Sequence, residues 1–144
     1  MTYHATDTDQ FDLVRFVNAQ ALSYDEALRE IQGGKKQGHW MWFVFPQLAG
    51  LGRSETAQRF AIGSLDEACA YLAHPLLGPR YRRLVAALLE IDRTDAESVF
   101  GATDAWKLRS SLTLFAMVSE DPSIGAALHR WFNGPDHKTL YLAR

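Results

Sequence analysis

Two short stretches of this chain hold the side chains best suited to chemistry. The first, GGKKQGHWMWFVFPQLAGLGRS, covers residues 33–54. In it Lys36 and His39 flank Gly38. Glycines let a backbone amide come close to a ligand, and a lysine with an imidazole beside a helix start suits an anion. His39 is also a candidate general acid or base, because an imidazole titrates near neutrality. Trp42 offers an indole face for stacking on a planar group. Trp40 lies about 200° away around a helix, so the two tryptophans do not share one pocket. Gln47, just after Pro46, either orients a ligand or satisfies the turn backbone. Gly52, Arg53 and Ser54 repeat the pattern, with a tight turn, a cation, and a hydroxyl that equally serves as a helix cap.

The second stretch is DAWKLRSSLTLF, residues 104–115. In a helix, Asp104, Lys107, Ser110, Ser111 and Leu114 share one face through spacings of three and four. The apolar stripe of Leu108, Leu112 and Phe115 lies roughly 100° away. A lysine between two hydroxyls makes a cradle for phosphate or carboxylate, and Asp104 either orients that lysine or forms an ordinary surface pair with it. Serine lowers helix propensity and returns nothing on a plain outer face, which points to a use for Ser110 and Ser111.

Together these residues predict a pocket between segments 34–54 and 104–114 for a small anionic ligand of the nucleotide or ADP-ribose kind. Lys36, His39 and Lys107 form its charged floor, and Ser54, Ser110 and Ser111 supply donors. Trp42 is a stacking wall, with Gln47 and Gly52 alongside. Hydrolysis or glycosyl transfer is the chemistry that suits such a site, with His39 as acid or base. A competing function is a non-catalytic protein–protein interaction module, since tryptophan with arginine is a hot-spot composition. The glycine spacing fits neither a Walker nor a Rossmann motif, and no nucleophile elbow or metalloprotease sequence is present. His4, His129 and His137 lack metal-ligand spacing, so no metal and no cofactor are implied. The single cysteine, Cys69, excludes an internal disulfide and reads as inert core.

The elements that must position these residues read as helices. Asp9 caps a segment on which Phe11, Val14 and Val17 share a face, and Ser23 with Glu26 forms a capping box for a second helix that stops at Gly33 and Gly34. The aromatic run Trp40–Phe45 has strand propensity. Nothing nearby could pair with one strand, so residues 38–45 are expected to form a short, central helix ended by Pro46. Ser64 and Glu67 open another helix, Pro75 begins a long one with His74 available as a cap, and Asp121 with Pro122 starts the last, which ends at Gly134. The expectation is one all-α domain over residues 1–144, of about seven helices, with residues 1–8 as a flexible tail.

Whole-chain properties limit the partners. Of the 144 residues, 47% are hydrophobic and 22% charged, enough for a real core. The net charge of −2 draws the protein to neither nucleic acid nor an acidic membrane. The polar N-terminus lacks the basic and apolar regions of a signal peptide, and the longest apolar run is far short of the ~20 residues that span a bilayer. A cytoplasmic location follows as the expectation. The sequence carries no signal for an oligomeric state.

The run GKKQGHWMWFVFPQLAGLGRS, followed by EACAYLAHPLLGPR and DAWKLRSSLTLF, resembles a family of small bacterial proteins of unknown function. The resemblance extends from about Phe11 to Leu140. It implies a compact all-α fold and supplies no reaction. Members of that family sometimes carry the label calpastatin, which does not suit this chain. Calpastatin is a disordered, repetitive inhibitor, whereas 12% of these residues are aromatic and the helical pattern is ordered.

Overall fold

The structure, a computed structural model, describes residues 9–143; the expected tail over residues 1–8 lies outside them. Among the described residues there are nine helices and no strand: α1 (Val14–Gln32), α2 (Met41–Val44), α3 (Glu55–Arg59), α4 (Leu65–Ala73), α5 (Leu77–Glu90), α6 (Ala96–Phe100), α7 (Ala102–Val118), α8 (Pro122–Phe132) and α9 (His137–Leu142). One isolated parallel bridge joins Leu48 to Ile62. No helix among the described residues is long and apolar enough to cross a membrane.

The helix count exceeds the expected seven for two opposing reasons. The first two expected helices are one, α1. Asp9 does cap it, accepting the N–H groups of Leu13 and Val14 at 2.5 and 3.0 Å. Ser23, expected to cap a second helix, instead donates its hydroxyl to the Ala19 carbonyl one turn back, at 2.7 Å. A cap residue must leave helical geometry, and no glycine or proline between Asp12 and Gln32 makes the backbone do so. In the other direction, α3, α6 and α9 are short additions, the last two capped by Asp95 and Asp136. Ser54 caps α3 as expected, accepting the Ala57 N–H at 3.1 Å.

Residues 38–45 are central, although the helix within them is only Met41–Val44. Trp40, Met41, Val44 and Phe45 are fully buried. The turn before them is organised by Glu30. One of its carboxylate oxygens accepts from the Gln37 and Gly38 amides and from Trp40 Nε1, at 2.7, 2.9 and 2.9 Å. Burial alone would raise the Glu30 pKa; those three donors and the nearby Lys36 hold it below its ordinary value. A side chain at position 38 has no room, because a Cβ there would stand 1.7 Å from Glu26 Oε1.

Helix α7 runs through the middle, in contact with α2, α4, α6, α8 and α9. The face of Ser110, Ser111 and Leu114 is therefore not an outer one: every residue from Ser110 to Phe115 is buried. Two of the hydroxyls inside this helix are satisfied locally, Ser110 donating to the Trp106 carbonyl and Thr113 to that of Arg109. Around Phe115 the aromatic rings of Tyr71 and Tyr81 pack at centroid distances of 5.2 and 4.5 Å. Arg15 ties the start of α1 to the α3–α4 connection, donating to Glu67 at 2.7 Å and to the carbonyls of Ala61 and Arg59. Cys69 is exposed rather than core, because α4 turns Ala68, Tyr71 and Leu72 inward instead.

Candidate functional site

The two stretches singled out in the sequence pack directly on each other. One stripe of α7 meets residues 36–47 at three successive levels. At the first, Asp104 bridges two lysines, with Oδ2 2.8 Å from Lys36 Nζ and Oδ1 3.6 Å from Lys107 Nζ. At the second, the Lys107 ammonium stands 4.0 Å from the centroid of the Trp42 ring. At the third, Gln47 Nε2 donates to Ser110 Oγ at 3.1 Å. Lys36 also donates to the Gly38 carbonyl and lies 5.1 Å from the Trp40 ring centroid.

The charges here are largely withdrawn from water. The side chains of Lys36, Lys107 and Asp104 are 8%, 13% and 20% exposed. Two cations share the Asp104 carboxylate, and Glu30 adds a second negative charge on the Lys36 side. Lys36 has the short contact and a carbonyl, so it is the better satisfied of the two. The Lys107 ammonium carries three N–H donors, and its partners are one long carboxylate contact and a π face. Beneath it, Trp42 Nε1 is buried and has no hydrogen-bond partner among the described residues. An indole nitrogen can only donate. What the couple lacks is therefore an acceptor, and buried donors are seldom left without one.

The remaining predicted residues are placed otherwise. Ser111 pairs with the Tyr81 hydroxyl at 3.0 Å, inside the core. With Ser110 occupied by Gln47, the expected cradle of Lys107 between two free hydroxyls is not formed. Ser54 is exposed and spent on capping α3. Gly52 has a packing reason to be glycine, because a Cβ there would come within 2.5 Å of Ala57 Cβ. His39 is exposed, one residue beyond Gly38.

Glu30 was not among the sequence candidates, yet it shapes the turn that carries Lys36. A signal existed: an acid in the last turn of a helix opposes the macrodipole, and such a placement calls for a local reason. Among the described residues no group of three or more His, Cys, Asp or Glu side chains is arranged to hold a metal ion.

Comparison with known proteins agrees with this fold. The crystal structure of the conserved hypothetical protein Rv1873 from Mycobacterium tuberculosis is similar to it, with a TM-score of 0.89 and 46% sequence identity over 92% of this chain and 96% of that one. None of the curated proteins compared matches significantly. A family model described as a protein of unknown function, DUF1810, matches residues 10–142. The chain therefore belongs to the DUF1810 family.

Proposed function

We propose that the protein is a cytoplasmic binder of a small anionic ligand, of the nucleotide or ADP-ribose kind, taken at the Trp42–Lys107 couple between segments 34–54 and 104–114. The observation that supports this most is the pair of unmet donors, the partnerless Trp42 Nε1 and the under-coordinated Lys107 ammonium. A negatively charged oxygen satisfies both, and hydrogen bonds to an ionised acceptor are the strong ones. Lys36 stands on the far side of Asp104, with its charge already balanced by Asp104 and the nearby Glu30. The indole face now covered by Lys107 suits a planar base once the ammonium turns to a phosphate. Gln47, Gly52, Ser54, Ser110 and Ser111 then shape and stiffen the wall rather than touch the ligand.

Hydrolysis or glycosyl transfer is the reaction class that goes with such a ligand, with exposed His39 as general acid or base. The competing role, a protein–protein interaction module, draws support from exposed apolar side chains elsewhere, Tyr141 at 65% and Leu142 at 39%.

Calorimetric titration with phosphate, ADP and ADP-ribose separates the two. The anion site requires saturable binding that Lys107→Ala weakens by about tenfold or more, and turnover, where present, that His39→Ala removes without loss of binding. Absence of binding by all three anions favours the interaction module.

A further inference from the structure

Helix α7 carries a second chemical face. Ala102, Ala105, Trp106 and Arg109 recur at helical spacing on the side nearly opposite Asp104 and Lys107. With Asp95 and Glu97 of the α6 region and Phe132 at the end of α8, they line an open groove of about 390 Å³. That volume lies within the range of small-ligand sites. The space exists because alanines stand where larger side chains would fill it, between two aromatic residues. Trp106 is 37% exposed. Its Nε1 donates to Asp136 Oδ1 at 3.3 Å, so its one polar atom is committed and only carbon surface remains available.

Arg109 and Glu97 have no counter-charge in this groove among the described residues. Arg109 Nε donates to the Gly134 carbonyl at 3.1 Å, and its guanidinium carbon lies 6.0 Å from the Phe132 ring centroid. Among the described residues no carboxylate pairs with that guanidinium. Asp95 is occupied at the start of α6, accepting from the hydroxyl and amide of Ser98. Glu97 is exposed, and among the described residues no side-chain partner holds its carboxylate. Arg109 and Glu97 share the groove without pairing, so each is free to take a group of opposite sign.

Two acids against one arginine disfavour a polyphosphate here, which separates this groove from the Trp42–Lys107 site. A fork of guanidinium donors matches one carboxylate. A free carboxylate matches an ammonium, and the aromatic and alanine surface matches an apolar body. We infer that this groove binds a small zwitterion with an apolar side chain, a free amino acid or a dipeptide. The ligand carboxylate sits on Arg109, its ammonium on Glu97, and its side chain lies against Trp106 and Phe132. The inference is independent of the anion site.

The test is calorimetric titration of the full chain with L-phenylalanine, the dipeptide leucyl-phenylalanine, phenylalaninamide and N-acetylphenylalanine. The expected result is saturable binding of at least one of the first two, with a dissociation constant of about 1 mM or tighter. Blocking the carboxylate as the amide, or Arg109→Gln, weakens it by about tenfold or more. Tighter binding of leucyl-phenylalanine identifies a dipeptide as the source; tighter binding of phenylalanine identifies the free amino acid. Ala102→Leu, at the exposed start of α7, fills the groove and abolishes binding even if Arg109→Gln fails to fold. No binding of either zwitterion, or binding indifferent to both the amide block and Ala102→Leu, overturns the inference.

Discussion

The Lys107 ammonium lies 4.0 Å from the centroid of the Trp42 ring, and the Nε1 of that same ring is buried without a partner among the described residues. A cation over an indole face is worth about 0.5–2 kcal/mol, depending on how dry it is. The contact joins two segments far apart in sequence and leaves a cluster rich in donors and short of acceptors.

The two tryptophans of the aromatic run should therefore respond differently to the same change. Trp40 is fully buried and its N–H is held by Glu30 at 2.9 Å. Trp40→Phe forfeits a hydrogen bond to a charged group together with packing, a loss of about 2–4 kcal/mol. Trp42→Phe removes a donor that has no partner, which offsets the lost ring volume and limits the loss to about 1 kcal/mol. Urea denaturation of both variants checks the contrast; equal losses would mean that the Trp42 N–H is satisfied after all.

Asp104 is the counter-charge of the cluster. Asp104→Asn leaves Lys36 and Lys107 facing each other. Breaking a buried pair from one side costs about 3–5 kcal/mol, and the partial exposure here brings that to about 2–3 kcal/mol. Added phosphate or ADP should restore more stability to this variant than it adds to the wild type, since an anion takes the place of the lost carboxylate. Thermal melts with and without the anions measure the difference. Parallel responses would place the anion elsewhere.

Much of this arrangement was legible in the sequence. Lys36 and Lys107 stood out because no apolar pattern explained them, and the 3-residue step from Asp104 to Lys107 marked one helix face. Ser54, Asp9 and Pro46 declared their roles through local rules of capping and chain direction, and the structure has them in those roles. The burial of Ser110 and Ser111 is not legible in the same way, because periodicity shows a stripe but not how many neighbours surround a helix. The buried Thr113 and Leu114 belong to the same covered length of α7. Ser23 had the form of a cap without a chain break to make it one. That Lys36 reaches Asp104 depends on tertiary packing, which no local spacing encodes.

Gly52 tests whether a glycine near the site serves packing or ligand. A methyl group there meets Ala57 Cβ at 2.5 Å, an overpacking that costs about 1–3 kcal/mol. Gly52→Ala should lower the denaturation midpoint and leave anion affinity unchanged. A large loss of affinity at unchanged stability would give Gly52 a direct role in binding.

His74 gives the fold a pH dependence of definite sign. Its Nδ1 accepts the amides of Leu76 and Leu77 at 3.1 and 3.2 Å, capping α5, which only the unprotonated ring can do. Burial lowers its pKa below the ordinary 6.5, with Asp9 opposing and Arg80 assisting. The unfolded chain then binds more protons than the folded one between the folded value and 6.5. Its contribution is complete above that range and is lost as the pH falls through the folded pKa. Urea midpoints taken from about pH 7.5 down to about pH 5 should fall more steeply for the wild type than for His74→Asn, whose side chain can cap without titrating. Superimposable slopes would remove His74 from the account.

The most direct test of the anion site is the nuclear magnetic resonance signal of the Trp42 indole N–H. With the nitrogen labelled, each tryptophan gives one indole peak, and Trp42→Phe identifies the one that belongs to Trp42. Titration with ADP-ribose or ADP should move that peak downfield and slow its hydrogen exchange, as a donor without a partner gains an ionised acceptor. Lys107→Ala should weaken the response. A Trp42 peak that stays in place while the protein is saturated with each anion would contradict the site proposed at Trp42 and Lys107.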